Sequence, residues 1–462
     1  MYVELGIGIF MSTNNNSTQS NLGPLAIIGA LFFVFGFVTW QNGALIPYLQ
    51  MICQLSATEA LMVASAFYLA YTVMALPSAA VLDKFGYKNG MAIGLLVLVV
   101  GFLFYIPAAE SQNFMIFLFA QFIIGSGLTL LQTAANPYVV KIGPSESAAV
   151  RIMFMGLMNK GAGVVAPLAF TAIVLGDFTG ISAESIKVMP VAEKAETIQG
   201  MADGLVYPYL SMAVVFVVLA ALLKLSPLPE LTSEDEEEVE SVGDTSSTVK
   251  TSIMDFPGLI LGALTLFVYV GAEVIAGDTI GLFASNLGVQ DATALTSYTM
   301  AFMLIGYALG IVLIPRFVNQ EQALISSAVF GLIFSLFVVL GDISSTSVSD
   351  VLWGWTSIPT LPNAVAFIAL LGFANALVWP AVWPLALAGL GKFTSKGSAL
   401  LIMGISGGAI IPLAYGMISD AISDGDAEKV VSGAQSAYWI MIPLYLFILF
   451  YAVKGHKMKD WK

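Results

Sequence analysis

Charge is scarce in this chain. Asp, Glu, Lys and Arg make up 10% of its 462 residues, against 58% hydrophobic. Soluble domains carry about 25% charged residues, so a soluble fold is excluded and the class is polytopic membrane protein. Cysteine is nearly missing: Cys53 alone gives no disulfide framework and no thiolate metal site. The one histidine, His456, lies in the charged C-terminal tail. Zinc sites and Ser-His-Asp or Cys-His catalysis therefore drop out. No enzyme, metal or cofactor is expected. A net charge of −13 does not fit a nucleic-acid partner. The opening "MYVELGIGIFMSTNNNSTQSN" holds no Lys or Arg, which argues against a cleaved signal peptide.

What is present is apolar runs. A span needs roughly 20 mostly apolar residues. Twelve segments qualify: 24–48, 58–82, 90–109, 114–140, 150–175, 206–224, 255–277, 294–315, 321–341, 361–388, 398–419 and 434–453. Backbone satisfaction in lipid makes each a helix. Basic residues set the orientation. Of 17 Lys and Arg, thirteen fall in loops on the side of the termini, three (Lys187, Lys194, Lys429) fall opposite, and Lys160 lies inside span 5. By the positive-inside rule both termini are cytoplasmic.

The acidic stretch "TSEDEEEVE" reads as a solvated linker. The expected organisation is a disordered tail (1–23), a six-helix half (24–224), an acidic cytoplasmic linker (225–253), a second six-helix half (254–455) and a basic cytoplasmic tail (456–462). The halves echo one another. "GSGLTLLQTAANP" in span 4 and "GFANALVWPAVWP" in span 10 share Gly and Pro at the same spacing. "GVVAPLA" in span 5 matches "GAIIPLA" in span 11, and "FVTWQNG" in span 1 matches "FVYVGAE" in span 7. Three matches at corresponding positions indicate an internal duplication, whose ligand belongs between the halves near the midplane. The major facilitator architecture fits best. "LDKFGYKNG" after span 2 resembles the cytoplasmic loop signature of that superfamily, which implies a conformational latch at Asp83, Lys84 and Lys88 with Asp83 meeting a helix N-terminus or an Arg; the other reading is an ordinary charged loop.

Polar side chains inside spans are candidate ligands. Gln121, Gln132 and Asn136 of span 4 lie within about 60° of one another at 100° per residue. Asn375, Trp379 and Trp383 follow one another at intervals of four in span 10, Trp40, Gln41 and Asn42 come from span 1, and Asn159 from span 5. Paired amides present donors and acceptors to vicinal hydroxyls, and indole faces cover the C–H face of a sugar ring. Interior amides also serve as interhelical glue, and tryptophans as interfacial belts. The set suits a neutral polyhydroxylated solute better than an inorganic ion or a bulky drug.

The block "LLQTAANPYVVKIGPSESAAVRIMFMGLMNKGAGVVAPLAF", Leu130 to Phe170, resembles bacterial glucose/galactose transporters of the fucose:proton symporter family, within the major facilitator superfamily. "FFVFGFVTWQNGALIPYL", "FVYVGAEV" and "GLGKFTSKGSALLIMGISGGAIIPL" resemble the same family. The resemblance implies ion-driven uptake of a hexose. Fucose-type members carry Glu at the position of Gln132, which points to the glucose/galactose branch. Family members usually carry Asp after the span 1 Asn. Here the pair is Asn42-Gly43, so that carboxylate is missing.

Two ionisable residues remain deep in spans, Lys160 and Glu273. Lys160 lies about 13 Å along the helix from Arg151. In the internal alignment Gly43 pairs with Glu273, so the lost carboxylate has a counterpart in span 7. Glu273 is thus the candidate carrier of the coupling ion, H⁺ or Na⁺. The other reading is a fixed Glu–Lys pair. Lys160 is also a candidate donor to a sugar hydroxyl. The expectation is a monomeric twelve-helix sugar symporter in the bilayer, with a small-molecule proton antiporter or a non-transporting sugar sensor as the alternatives.

Overall fold

A peptide group has no water to bond in hydrocarbon, and each unpaired one costs several kcal/mol. The computed structural model answers this with helix throughout. It describes residues 22–141, 148–175, 178, 181, 183–228, 252–314, 317–390 and 393–461, and among these every regular element is helical.

The N-terminal half runs α1 (Leu22–Trp40), α2 (Asn42–Cys53), α3 (Ala57–Phe85), α4 (Tyr87–Ser111), α5 (Phe114–Lys141) and α6 (Ala148–Phe170). Two loop helices, α7 (Ala183–Val188) and α8 (Val191–Asp203), then lead into α9 (Val206–Leu225). The C-terminal half runs α10 (Pro257–Asn286), α11 (Thr296–Leu313), α12 (Gln320–Leu340), the short α13 (Ser347–Trp353), α14 (Asn363–Asn375), α15 (Val378–Leu387), α16 (Thr394–Met403), α17 (Gly407–Ser423), α18 (Val430–Ala437) and α19 (Met441–Val453). Twelve stretches are long and apolar enough to cross a membrane, as the sequence predicts.

Four spans are interrupted in their course among the described residues, span 12 by a 3₁₀ turn at Tyr438–Ile440 and the others as follows. Span 1 changes helix at Gln41, between α1 and α2. Span 10 breaks between Asn375 and Val378, where Pro380 has no N–H to return to Ala376. Span 11 passes through a 3₁₀ turn, Gly404–Ser406, between α16 and α17. Span 7 differs from expectation the other way. The sequence reading ends it at 277, yet α10 continues to Asn286, and this brings Asp278 inside the bundle.

The halves are zipped together at the end remote from the chain termini. Asp420, near the end of α17, accepts from the backbone N–H groups of Ala57 (3.2 Å) and Thr58 (2.9 Å) at the start of α3. A carboxylate is favoured there by the unpaired amides and by the helix dipole. The same helix start is closed from its own side by a capping box, Ser56 with Glu59. Further in, Ser65 donates to the Ala409 carbonyl (2.7 Å) and Ser297 to the Val164 carbonyl (2.7 Å). Thr171 and Thr293 share a 2.7 Å hydroxyl contact. At Gly43 the backbone lies so close to Thr296 that a Cβ would overlap that side chain.

The end near the termini is built differently. Gly86 takes φ 79, the left-handed turn that joins α3 to α4. Lys84 is exposed with its ammonium 5.3 Å from the Phe85 ring. Lys88 donates to the Ser226 carbonyl (2.7 Å), inside its own half. The side chain of Asp83 lies outside the described residues, as do the tail to residue 21 and linker residues 229–251. A carboxylate on a helix N-terminus is seen at the opposite end, through Asp420. The C-terminal tail is docked rather than free. His456 and Lys457 reach Glu321 (3.5 and 2.6 Å), and Trp461 donates to the Met254 carbonyl (2.8 Å).

The Asp420 contact carries a prediction. Asp420→Ala removes two charge-assisted hydrogen bonds, each worth about 1.5–3 kcal/mol, and Asp420→Asn keeps one acceptor. Pulsed-EPR distances between labels on the remote ends of α3 and α17 will lengthen in the Ala variant and lengthen less in the Asn variant. Unchanged distances would show that the cap does not hold this end shut.

Candidate functional site

The site begins with the two charges that the sequence leaves in hydrocarbon. Lys160 on α6 and Glu273 on α10 meet across the boundary between the halves, Nζ to Oε1 2.5 Å, with side chains 10% and 9% exposed. A lone charge here would carry a desolvation penalty of several kcal/mol, which a close pair offsets. A second contact favours the cation. Lys160 Nζ sits 4.3 Å from the centre of the Trp40 ring, worth about 2 kcal/mol where water is excluded. The indole is held by its own donor, Trp40 Nε1 to Asn159 Oδ1, 3.2 Å.

Two walls flank the pair. From the N-terminal half, Gln132 Nε2 donates to the Tyr71 hydroxyl (2.8 Å), and the Tyr71 ring stacks on Tyr68 at 6.2 Å and 27°. Asn136, one turn beyond Gln132, is half-buried. From the C-terminal half, Trp379 and Trp383 lie 5.6 Å apart, and Trp379 packs against Tyr269 at 6.4 Å. Tyr269 stands one helical turn before Glu273 on α10. The Trp383 indole N–H is buried without a partner among the described residues. An unpaired buried donor costs about 1–3 kcal/mol, so a ligand acceptor at that point is favoured.

Several candidates read from the sequence sit elsewhere. Gln41 donates to the Tyr209 hydroxyl (3.2 Å), and Asn42 accepts from Gln121 (2.7 Å). With the stacked Tyr105–Tyr209 rings (3.9 Å apart), these amides line a small cavity inside the N-terminal half, away from the boundary. The helix change at Gln41 turns them inward and leaves Trp40 and Gly43 facing the other half. Asn159 also points inward, its Nδ2 3.5 Å from the Phe32 carbonyl. Asn375 accepts from Tyr445 (2.9 Å) within the C-terminal half, and its Nδ2 is buried without a partner among the described residues. Lys160 and Glu273 meet across the boundary with Tyr68 and Tyr269 beside Glu273, while Gln132 bonds within the N-terminal half and Trp379 packs on Tyr269. Gln41, Asn42, Asn159 and Asn375 buttress the elements that carry these groups. Tyr68, Tyr71, Tyr269 and Asp278 escape the sequence reading. The phenols look like ordinary apolar filler in sequence, and Asp278 falls just past the expected end of its span.

Two helical halves, sealed at one end and meeting at a buried ion pair between polar and aromatic walls, define a multi-pass membrane protein of the alternating-access class. A family model described as Major Facilitator Superfamily matches residues 27–395, and the chain belongs to that superfamily. It is 32% identical over 456 residues to the glucose/galactose transporter of Brucella abortus biovar 1 (strain 9-941), covering 96% of this chain and 98% of that protein. It is 27% identical to the L-fucose-proton symporter of Escherichia coli (strain K12), covering 90% of this chain and 91% of the relative. The solved Major Facilitator Superfamily transporter FucP, in the outward conformation, matches with a TM-score of 0.65 at 23% identity, covering 94% of this chain and 99% of that chain, a likeness of fold. The resemblance read from Leu130–Phe170 is borne out by these relatives.

The ion pair makes a stability prediction. Lys160→Met or Glu273→Gln alone leaves one buried charge without its partner, a cost of about 3–5 kcal/mol. Each single variant will lower Tm in detergent, and the double variant Lys160→Met/Glu273→Met will recover most of the loss. Additive losses would show that the two residues act separately.

Proposed function

We propose that this chain takes up a hexose or a closely related sugar across a bacterial inner membrane, driven by an ion gradient and working by alternating access. The observation that carries this reading is the cross-boundary site itself. Gln132 and Asn136 of α5 belong to one half and the indoles of α15 to the other, and the buried ion pair of Lys160 and Glu273 joins the two halves. The amides match vicinal hydroxyls and the indoles match the C–H faces of a pyranose. The glucose/galactose and fucose–proton relatives support the same substrate class. The chemistry is binding and release with no bond broken, so the protein works as a transporter and not as an enzyme.

With thirteen basic residues on the side of the termini, both termini are cytoplasmic. The end closed by Asp420 then faces outward. Glu273 is the group through which the ion acts on the tie between the halves. A proton on its carboxyl, or Na⁺ at its oxygens, weakens the hold on Lys160 and frees that ammonium to donate to a sugar hydroxyl. Gln41 and Asn42 act as positioning residues for span 1 and do not touch the sugar.

Proteoliposome uptake over a panel of hexoses, with pH and Na⁺ gradients imposed separately, tests the reading. Hexose counterflow is expected from the wild-type protein. Gln132→Ala, which removes a neutral hydrogen bond of about 0.5–1.5 kcal/mol, will raise KM roughly two- to tenfold. Trp379→Ala will raise it further than Trp379→Phe. A protein that binds hexose but gives no counterflow would overturn transport in favour of sensing.

A further inference from the structure

One buried group has no part in the site so far. Asp278 on α10 is 0% exposed, and neither carboxylate oxygen has a hydrogen-bond partner among the described residues. Several donors on the surrounding helices are committed elsewhere. Thr279 donates to the Ile275 carbonyl or shares its hydroxyl with Tyr438 (2.6 Å), and Tyr415 on α17 donates to the Ala434 carbonyl (3.0 Å). From α11, Thr296 and Thr299 bond the carbonyls of Gly277 (2.7 Å) and Ala276 (3.1 Å). From α2, the Tyr48 hydroxyl is on the Met201 carbonyl (2.7 Å). From α6 comes the one cation deep in a span, Lys160, and it is spent on Glu273. The buried charged groups among the described residues are thus Glu273 and Asp278, Lys160, and Arg151 in the first turn of α6.

An ionised carboxylate with neither donor nor cation is among the costliest groups to bury, whereas a neutral carboxyl costs no more than other unpaired polar groups. Its titratable neighbours are Glu273 on the same helix and, across the boundary, Tyr68 on α3, with Tyr438 and Tyr415 gathered at the adjoining Thr279. Tyr68 stacks on Tyr71, whose hydroxyl accepts from Gln132. The carboxyl is thereby linked in space to the wall that meets the sugar.

We infer that Asp278 is a proton-binding residue of the transport cycle, carrying a proton while the remote end is sealed and exchanging it with the outer medium when that end opens. The inference rests on the proposed ion-coupled uptake and makes the driving ion H⁺. The proton enters onto an Asp278 oxygen from the outer side. It leaves to the cytoplasm after the halves rearrange, so one proton moves inward with each sugar.

Proteoliposomes test it. Asp278→Asn cannot load or release a proton, so sugar accumulation driven by a pH gradient is expected to fall to the equilibrium ratio of one. Exchange of labelled for unlabelled hexose, which needs no net proton movement, is expected to continue. Infrared difference spectra of the wild-type protein are expected to contain a carboxylic-acid C=O band that shifts on sugar addition and is missing from Asp278→Asn. This readout holds even if the variant's transport is impaired for structural reasons. Full pH-driven accumulation by Asp278→Asn, the absence of that band from the wild type, or wild-type accumulation driven by Na⁺ alone would each overturn the inference. Wild-type protein with no hexose counterflow would instead remove the transport reading, and the inference with it.

Discussion

The constraint on which the rest depends is the cost of charge in hydrocarbon. This chain keeps few ionisable groups in its spans, and two of them, Lys160 and Glu273, come from opposite halves. Neither is tolerable alone, so the pair fixes where α6 and α10 must meet. The Trp40 ring beneath the ammonium and Asn159 holding that ring extend the requirement into span 1. One electrostatic demand thus aligns three helices at the middle of the bundle.

Around that point the two halves contribute unlike surfaces. The N-terminal half brings an amide and phenols, Gln132 with Tyr71 and Tyr68. The C-terminal half brings indoles with Tyr269. The remote end is held by backbone-directed contacts, with Asp420 on two peptide N–H groups and Ser65 and Ser297 on carbonyls. Such contacts form and break as units when helices move, because they need no particular partner side chain. At Gly43 the missing side chain has a physical counterpart, since Thr296 fills the space that a Cβ would need. The absence of a side chain at Gly43 and the close approach of Thr296 are two aspects of one packing arrangement.

Much of this was legible in the sequence. Hydropathy alone gives the twelve spans, and the isolation of Lys160 and Glu273 in apolar runs marks both as special. Their pairing was one of two readings, because contact across the halves depends on rotation angles that a period of 3.6 residues does not supply. Local breaks account for other misplacements. Gln41 and Asn42 belong to a helix that restarts at that point. Asn375 and Trp379 share a stripe only on an unbroken helix, and Pro380 breaks it. Asp278 was hidden by a boundary. A span ended at 277 leaves it in the headgroup region, whereas α10 continues to Asn286.

The interruptions in spans 10 and 11 have a mechanical consequence. Both lie in the C-terminal half, where α14 gives way to α15 and α16 to α17, and α15 carries the indole wall. In the N-terminal half the amide wall rides on the continuous α5. The indole wall thus rides on an interrupted span and the amide wall on a continuous helix. Closure around a bound solute then falls mostly to the interrupted span, and the proline-set break before Val378 governs how small a solute it can grip.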